Sequence, residues 1–488
     1  GIGKNEEQSE RFFRISTEVL VAAVLKTATV DENKNQTVLN YTVIDGYGKL
    51  ILVLMKHLNS GGSLEEVAKQ RISLLNQILG VTMRTMMAHY ERTKRENITH
   101  PSKWDQRPWF RLLLNLVIDL NSPSPIFDPI NYGILGVFGS AFHVVQPLVI
   151  PGFAFAWLEL VSHRMFLSNL LSVKGQKGWA LAHQLLIDLF LFLEPHLHKI
   201  DLTDSMRQLY KGTMRVLLVL LHDYPAFLAG YHLSFCNVIP ENCVQLRNLV
   251  LSAFPRGMVL PDPFTPNLKI DVLPEIAKNP LVLSNVVGPI HSIREDVDKY
   301  LKNRQSTDLM SGLLPRLYKD GTKEVDAGKV NALVLYVGMH ALANQQNSQI
   351  TSSLVRTAEM EIFQKLMDFD DRGRYICLNA IANQLRFPSS HTHCFSCVML
   401  FLFSEAKDEG VREQVTRVLL ERLIVHRPHP WGLLVTFIEL IKNQRYQFWS
   451  HPFTRCATEI EKVFESVARS CLTPGSQKAT SVGGSDVP

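Results

Sequence analysis

The clearest pattern along this chain is a pair of amphipathic segments between residues 417 and 443. Apolar residues recur at helical spacing in the first segment, which ends at a turn containing Pro428 and Pro430. Proline lacks an amide donor and disfavours helix in the residue before it. Two such helices cannot bury their apolar faces alone, so the pattern predicts helices stacked against neighbours. The second apolar stripe consists of Trp431, Leu434, Val435, Ile438 and Ile441.

Helical patterns of the same kind cover most of the chain, and alternating apolar–polar strands are hard to find. Ser63 and Glu66 form a capping box, in which the serine caps the first turn and the glutamate reaches back to it. Short connections containing Pro, Gly, Asp or Asn favour antiparallel stacking. The predicted helices cover about 8–29, 37–58, 63–92, 104–120, 128–143, 151–173, 177–194, 203–222, 241–253, 291–303, 325–345, 351–368, 371–386, 392–407, 410–425, 430–442 and 455–471.

One segment interrupts the helices, because residues 254–280 contain six prolines. A flexible linker is one interpretation. Apolar residues such as Leu268, Ile270 and Val272 favour an ordered strap, since they would not be left in water without cost. We therefore predict an all-α, HEAT-like helical-repeat solenoid with two stacked halves joined by a Pro-rich strap. Its predicted parts are a first half over 7–253, the strap over 254–290, a second half over 291–471 and a disordered tail over 473–488.

Composition narrows the classes of function. Hydrophobic residues make up 46% and charged residues 20%, which is typical of a folded protein. A formal charge of +5 is too small to indicate a nucleic-acid binder, so direct RNA binding is kept only as the alternative function. The seven cysteines, an odd number, favour reduced thiols and an intracellular setting. No membrane span or signal peptide is expected. The best candidates for an RNA-binding strip are Lys94, Arg95, Arg107 and Arg111, which are scattered.

The densest cluster of metal-type ligands runs from His391 to Cys397 and includes His393 and Cys394. Structural zinc usually takes two separated ligand pairs, whereas these residues open a predicted buried helix, so no metal is expected. The phosphatase pattern of His-Cys, five residues and then Arg begins here at Cys394, but it has Leu400 where the phosphate-binding arginine is needed. Glycine-rich phosphate loops, GxSxG and HExxH motifs are missing, so the sequence predicts no catalytic residue, no cofactor and no enzyme activity.

Aromatic residues are concentrated in one connection near the end of the chain. Aromatic side chains most often serve as core, so one interpretation is that they close the end of the helical stack. The other is a pocket for an extended peptide, because Trp, Tyr and Arg are favoured at binding hot spots. We predict that this connection binds a partner through Arg445, Tyr446, Phe448, Trp449 and Phe453.

Several long runs resemble the Not-domain at the C-terminus of the large scaffold subunit of the CNOT (Ccr-Not) deadenylase complex. The resemblance extends from about Arg11 to Cys471 and is weak over 27–40, 92–105 and 280–328, as expected of loops. The runs that carry it are PGFAFAWLELVSHRMF (151–166), QLLIDLF (184–190), YKGTMRVLLVLLHDYPAFL (210–228), VQLRNLVLSAFPRGMVLPDPFTPNLKID (244–271), NALVLYVG (331–338), LNAIANQLRFPSSHTHCFSC (378–397) and RVLLERLIVHRPHPWGLLVTFIELIKN (417–443).

The resemblance implies an all-helical, HEAT-like module without enzymatic activity. It implies that the module docks the Not-box subunits of the complex through their extended segments, and that RNA-binding adaptor proteins attach to it through short peptide motifs. A role in mRNA deadenylation, decay and translational repression would follow, in the cytoplasm, including mRNA-processing foci, and also in the nucleus. The family has no catalytic motif whose residues can be matched here.

Overall fold

The structure, a computed structural model, describes residues 6–31, 36–58, 63–96, 104–199, 201–265, 268–304, 307–344, 357–455 and 462. Within these ranges the strands are β1 (Thr29–Asp31) and β2 (Gln36–Val38), which pair antiparallel with Thr29 opposite Val38. Almost all other regular structure is helical. The predicted all-α class is therefore confirmed.

The chain divides into two compact units, Gly1–Val216 and Leu217–Pro488, and the boundary falls inside a helix. The helices of the first unit pack around large buried side chains such as Trp109, Trp157 and Phe142. They are α1 (Glu6–Lys26), α2 (Thr42–His57), α3 (Leu64–Glu96), α4 (Arg107–Asn121), α5 (Asn131–Val144), α6 (Ala154–Ser162), α7 (Asn169–Leu171), α8 (Trp179–Leu197) and α9 (Asp204–Asp223), which contains the boundary.

The second unit has one continuous apolar core, to which almost all its helices contribute. These helices are α10 (Pro225–Gly230), α11 (His232–Val238), α12 (Val244–Leu251), α13 (Arg294–Asn303), α14 (Thr307–Arg316), α15 (Ala327–Asn344), α16 (Ala358–Leu366), α17 (Asp371–Ala382), α18 (Ser390–Ser404), α19 (Glu409–Leu423) and α20 (Trp431–Lys442).

Side chains at the starts of several helices accept hydrogen bonds from backbone amides that have no partner within the helix. The predicted capping box is confirmed, because the Ser63 amide donates to Glu66 Oε2 at 2.8 Å and the Glu66 amide donates to Ser63 Oγ at 3.3 Å. In the second unit, four consecutive helices are each preceded by a residue whose side chain accepts a hydrogen bond from an amide of the first turn. The four capping residues are Thr357, Asp370, Ser389 and Asp408.

A chain of buried polar side chains connects helices of the second unit. Asn331 Nδ2 in α15 donates to Asn237 Oδ1 in α11 at 3.0 Å. Asn383 Nδ2, just after α17, donates to Asn331 Oδ1 at 3.1 Å, and Arg422 Nη2 in α19 donates to Asn383 Oδ1 at 2.8 Å. Such bonds satisfy polar groups that burial would otherwise leave unpaired, so they specify how these helices meet.

The boundary between the units differs from the predicted end of the first half at residue 253. The reason is that α11 and α12 pack with later helices. His232 Nε2 lies 3.1 Å from Gln384 Oε1, and Asn248 Nδ2 donates to the Arg422 carbonyl at 2.8 Å. The segment 254–290 consequently belongs to the second unit, as does everything predicted for the second half.

Several helices differ from their predicted ranges. The helix predicted over 151–173 is broken at His163, which is extended, and continues as a π-helical turn. The sequence prediction missed α10, α11 and α14. The first two are short and almost wholly buried, so they lack an amphipathic period, and α14 contains Gly312 and Pro315. The predicted helix 455–471 and tail 473–488 lie outside the described residues, apart from Arg455 and Lys462.

Among the helices that the structure describes, α8 is long and apolar enough by composition to cross a membrane. Its buried Asp188 lies 2.6 Å from His143 Nδ1 and accepts a hydrogen bond from Gln184 at 3.0 Å. A helix buried in the core of a folded protein can have the same length and apolar composition. The packing of α8 on α5 fits that interpretation.

Candidate functional site

The Pro-rich strap, residues 254–290 apart from 266–267, lies against helices of the second unit. The Trp431 indole donates to the Pro261 carbonyl at 2.7 Å, and the Ser390 amide donates to the Lys278 carbonyl at 3.0 Å. These bonds attach the strap to the first residues of α18 and α20. The strap can therefore form one wall of a site whose floor is helical.

A groove of about 500 Å³ runs between the strap and the helices α18 and α20. Its helical floor mixes apolar side chains with polar ones such as Thr392 and Ser396, whereas Val272 of the strap remains 72% exposed. Protein interiors are close-packed, so an open volume of this size is typical of a binding site. The apolar lining consists of Leu268, Ile270, Val272, Ile276, Leu400, Trp431 and Val435.

Gly432 allows α20 to approach the segment before α18. Its amide donates to the Arg386 carbonyl at 2.5 Å. A Cβ atom built on Gly432 would lie 2.3 Å from Thr392 Cγ2 and 2.9 Å from the Leu385 carbonyl carbon. Glycine is needed here because a side chain would collide with backbone, which cannot move aside.

We expect Gly432→Ala to lower the free energy of unfolding of the second unit by about 1–3 kcal/mol, because the core would be overpacked. Gly312→Ala is the matched control, since a Cβ atom there meets nothing within 4 Å. That substitution should leave the melting temperature unchanged or raise it slightly. Thermal unfolding of both variants tests this. Equal melting temperatures would show that α20 tolerates the methyl group.

Two carboxylates, those of Asp271 and Glu439, line the groove. Asp271 of the strap lies 2.9 Å from His393 Nε2, and Glu439 of α20 accepts a hydrogen bond from Asn443 at 2.7 Å. Burial, followed by the charges of Asp271 and Glu439, raises the pKa of the Cys397 thiol to about 11. Cys397 is therefore a neutral thiol at physiological pH, which does not favour nucleophilic chemistry at this position.

The cluster from His391 to Cys397 is packed into the start of α18. Burial, followed by the charge of Arg386, lowers the pKa of His391 to about 3, and burial raises the pKa of Cys394 to about 12. Both side chains are consequently neutral. In the described part of the chain, no three His, Cys, Asp or Glu side chains are grouped as metal ligands.

The structure separates the five residues predicted to bind a partner. Phe448 and Phe453 are 2% and 8% exposed, and their rings lie 6.1 Å apart within the core. Arg445, Tyr446 and Trp449 keep exposed atoms, and Tyr446 also lines the groove. The interpretation as core therefore applies to Phe448 and Phe453, and partner binding through this connection stays a prediction.

Three of the four basic residues considered for RNA binding are held in ion pairs, and in the weakest of them Lys94 Nζ lies 3.9 Å from Glu91 Oε1. Arg107 Nη2 lies 2.6 Å from Asp105 Oδ2, and Arg111 Nε lies 2.8 Å from Asp45 Oδ1. The Arg111 hydrogen bond holds the pKa of the Asp45 carboxyl below its usual value. Charges neutralised in this way attract phosphate groups less, so the pairs do not favour the RNA-binding alternative.

The sequence pattern did not predict the groove. Its hydrogen-bonded pair of Asp271 and His393 joins residues 122 positions apart, and nothing in the local sequence places the two side chains together. The available signal was the apolar strap, where Leu268, Ile270 and Val272 alternate with polar residues. That spacing indicated that the strap covers something, but not which helices it covers.

Comparison with known sequences identifies related proteins. The family described as CCR4-Not complex component, Not1, matches residues 117–468. The CCR4-NOT transcription complex subunit let-711 of Caenorhabditis elegans is 40% identical over 513 residues, which cover 100% of this chain and 19% of that protein. General negative regulator of transcription subunit 1 of Schizosaccharomyces pombe is 33% identical, over 98% of this chain and 22% of that protein. The chain thus spans about a fifth of these relatives.

Solved structures share the fold. The NOT1 superfamily homology domain from Chaetomium thermophilum has a TM-score of 0.84 and 25% identity, covering 96% of this chain and 90% of that one. A Not1 C-terminal domain in complex with Not4 has a TM-score of 0.78 and 27% identity, covering 95% of this chain and 92% of that one. Both matches extend over nearly all of this chain, so the similarity is not confined to one unit.

Proposed function

This chain belongs to the Not1 family of CCR4-Not complex components, and we propose that it is a non-catalytic scaffold module that docks other subunits. The observation that carries the proposal is the groove of about 500 Å³ between the strap and the helices α18 and α20. Helical stacks with such grooves bind extended segments of other proteins. A Not1 C-terminal domain similar to this chain has been captured with Not4, which supports the same use of the fold.

The partners that we propose are the Not-box subunits of the complex and RNA-binding adaptor proteins that attach through short peptide motifs. Docking them would support mRNA deadenylation, decay and translational repression, in the cytoplasm with its mRNA-processing foci and in the nucleus. The neutral histidine and cysteines at the start of α18 agree with a role in binding and not in catalysis. A pull-down with purified Not-box subunits tests the proposal, and failure of the wild-type chain to bind them would contradict it.

We expect Trp449→Ala to make the free energy of binding a partner less favourable by about 2 kcal/mol, the usual effect of truncating a hot-spot side chain. The fold should persist. Trp449 is 37% exposed, so a partner can reach its ring. The indole N–H donates to the Ile441 carbonyl at 3.0 Å, which holds the ring in place. Binding affinity and melting temperature should be measured together. Trp449→Phe is the conservative control, because it keeps the packing on Phe448. A sharp fall in melting temperature would show that Trp449 is a core residue.

A further inference from the structure

We propose that the strap groove binds an extended segment in which a large apolar side chain is followed closely by lysine or arginine. This inference rests on the proposed docking function and specifies its chemistry. The groove is the space between the strap residues 268–276 and the helices α18 and α20, and its lining includes the carboxylates of Asp271 and Glu439.

The size of the groove favours a segment without helical structure. An α-helix with its side chains is about 10–12 Å across, so about one turn of it would fill a volume of 500 Å³. An extended segment instead inserts single side chains and leaves the rest of its backbone at the opening. The strap wall and the helical floor both offer apolar contacts to such a side chain, through Ile270, Val272 and Val435.

The charges around the groove favour a lysine or arginine next to that apolar side chain in the bound segment. The strap contributes Lys269 and Asp271, α18 contributes His393, and α20 contributes Glu439. Asp271 is already paired with His393. Glu439 accepts a hydrogen bond from Asn443, and among the described residues no basic side chain forms an ion pair with it.

The position of Glu439 makes its charge available to a ligand. The Glu439 charge contributes to raising the pKa of both Cys397 and Tyr446, after burial as the main cause. Glu439 lines the groove together with these two side chains and is partly buried. A lysine or arginine of a bound segment would there meet a carboxylate partly shielded from water, where the attraction exceeds that of a fully exposed pair.

A peptide selection tests the proposal. A random 12-residue peptide library is selected in parallel on the purified wild-type chain, on Glu439→Lys and on Glu295→Lys. Glu295 is exposed on α13, so its variant makes the same charge change elsewhere on the second unit. We expect wild type and Glu295→Lys to enrich apolar–basic peptides, and Glu439→Lys to lose them. A selected peptide should bind Glu439→Lys about tenfold more weakly at low ionic strength.

Three results would overturn the proposal. The first is enrichment of peptides without lysine or arginine, and the second is equal enrichment of the same peptides on all three proteins. The third is a wild-type dimer that Glu439→Lys abolishes, which would identify a second copy of the chain as the occupant. Glu439→Gln, which removes the charge with little change in shape, serves if the lysine variant does not fold. Not-box binding is measured on the same proteins. If wild type binds Not-box subunits but selects no basic peptide, this inference fails and the scaffold function stands.

Discussion

Replacing Asn383 with leucine is expected to lower the free energy of unfolding of the second unit by about 3 kcal/mol. Asn383 Oδ1 accepts a hydrogen bond of 2.8 Å from Arg422 Nη2, whose other side-chain acceptor is Asn379 Oδ1 at 2.6 Å. Arg422 is buried, and burial lowers the pKa of its guanidinium to about 10. A buried charge that loses an acceptor is left only partly compensated, and leucine cannot supply another.

The double variant Asn383→Leu with Arg422→Met separates this cause from a change of shape. Removing both partners together leaves no unpaired charge, so the double variant should be more stable than Asn383→Leu alone. Urea unfolding measures the difference, with hydrogen exchange assigning it to the second unit. A loss below about 1 kcal/mol for the single variant would mean that Arg422 finds another acceptor.

The second unit is also expected to lose stability steeply in mild acid. Burial holds the pKa of His391 at about 3 and, together with the charge of Arg386, holds the pKa of His232 well below its usual value. In the unfolded chain both histidines titrate near pH 6.5. Below that pH the unfolded state binds protons that the folded state does not accept, so the free energy of unfolding falls as the pH falls.

His391 should contribute about 2–3 kcal/mol of the loss between pH 6.5 and 4.5, and His232 should add to it. Urea unfolding at a series of pH values, followed by hydrogen exchange in the second unit, measures the slope. His391→Gln removes one titrating group, so its stability should depend less on pH. His222→Gln is the control, because His222 is exposed at the end of α9 and should not change the slope. Identical slopes for His391→Gln and wild type would contradict this origin of the acid sensitivity.

The helices were predictable because their apolar stripes repeat with the helical period over many residues. Helices α17 to α20 lie within a few residues of their predicted ranges, and the connections before α17, α18 and α19 carry residue types typical of helix caps. The same logic fails for α10 and α11. They are buried on nearly all sides, so their apolar residues show no period, and short helices of this kind depend on tertiary packing.

The sequence by itself determined the helical class and the interruption of the helices by prolines, because these depend on local spacing and residue type. Only the tertiary structure decided which surfaces meet. It placed Asp271 beside His393, Arg422 beside Asn383, and Phe448 in the core while Trp449 kept exposed atoms. Such pairings join residues far apart in the chain, or turn neighbours to opposite sides of a surface. They follow from packing of the whole unit, which no local pattern records.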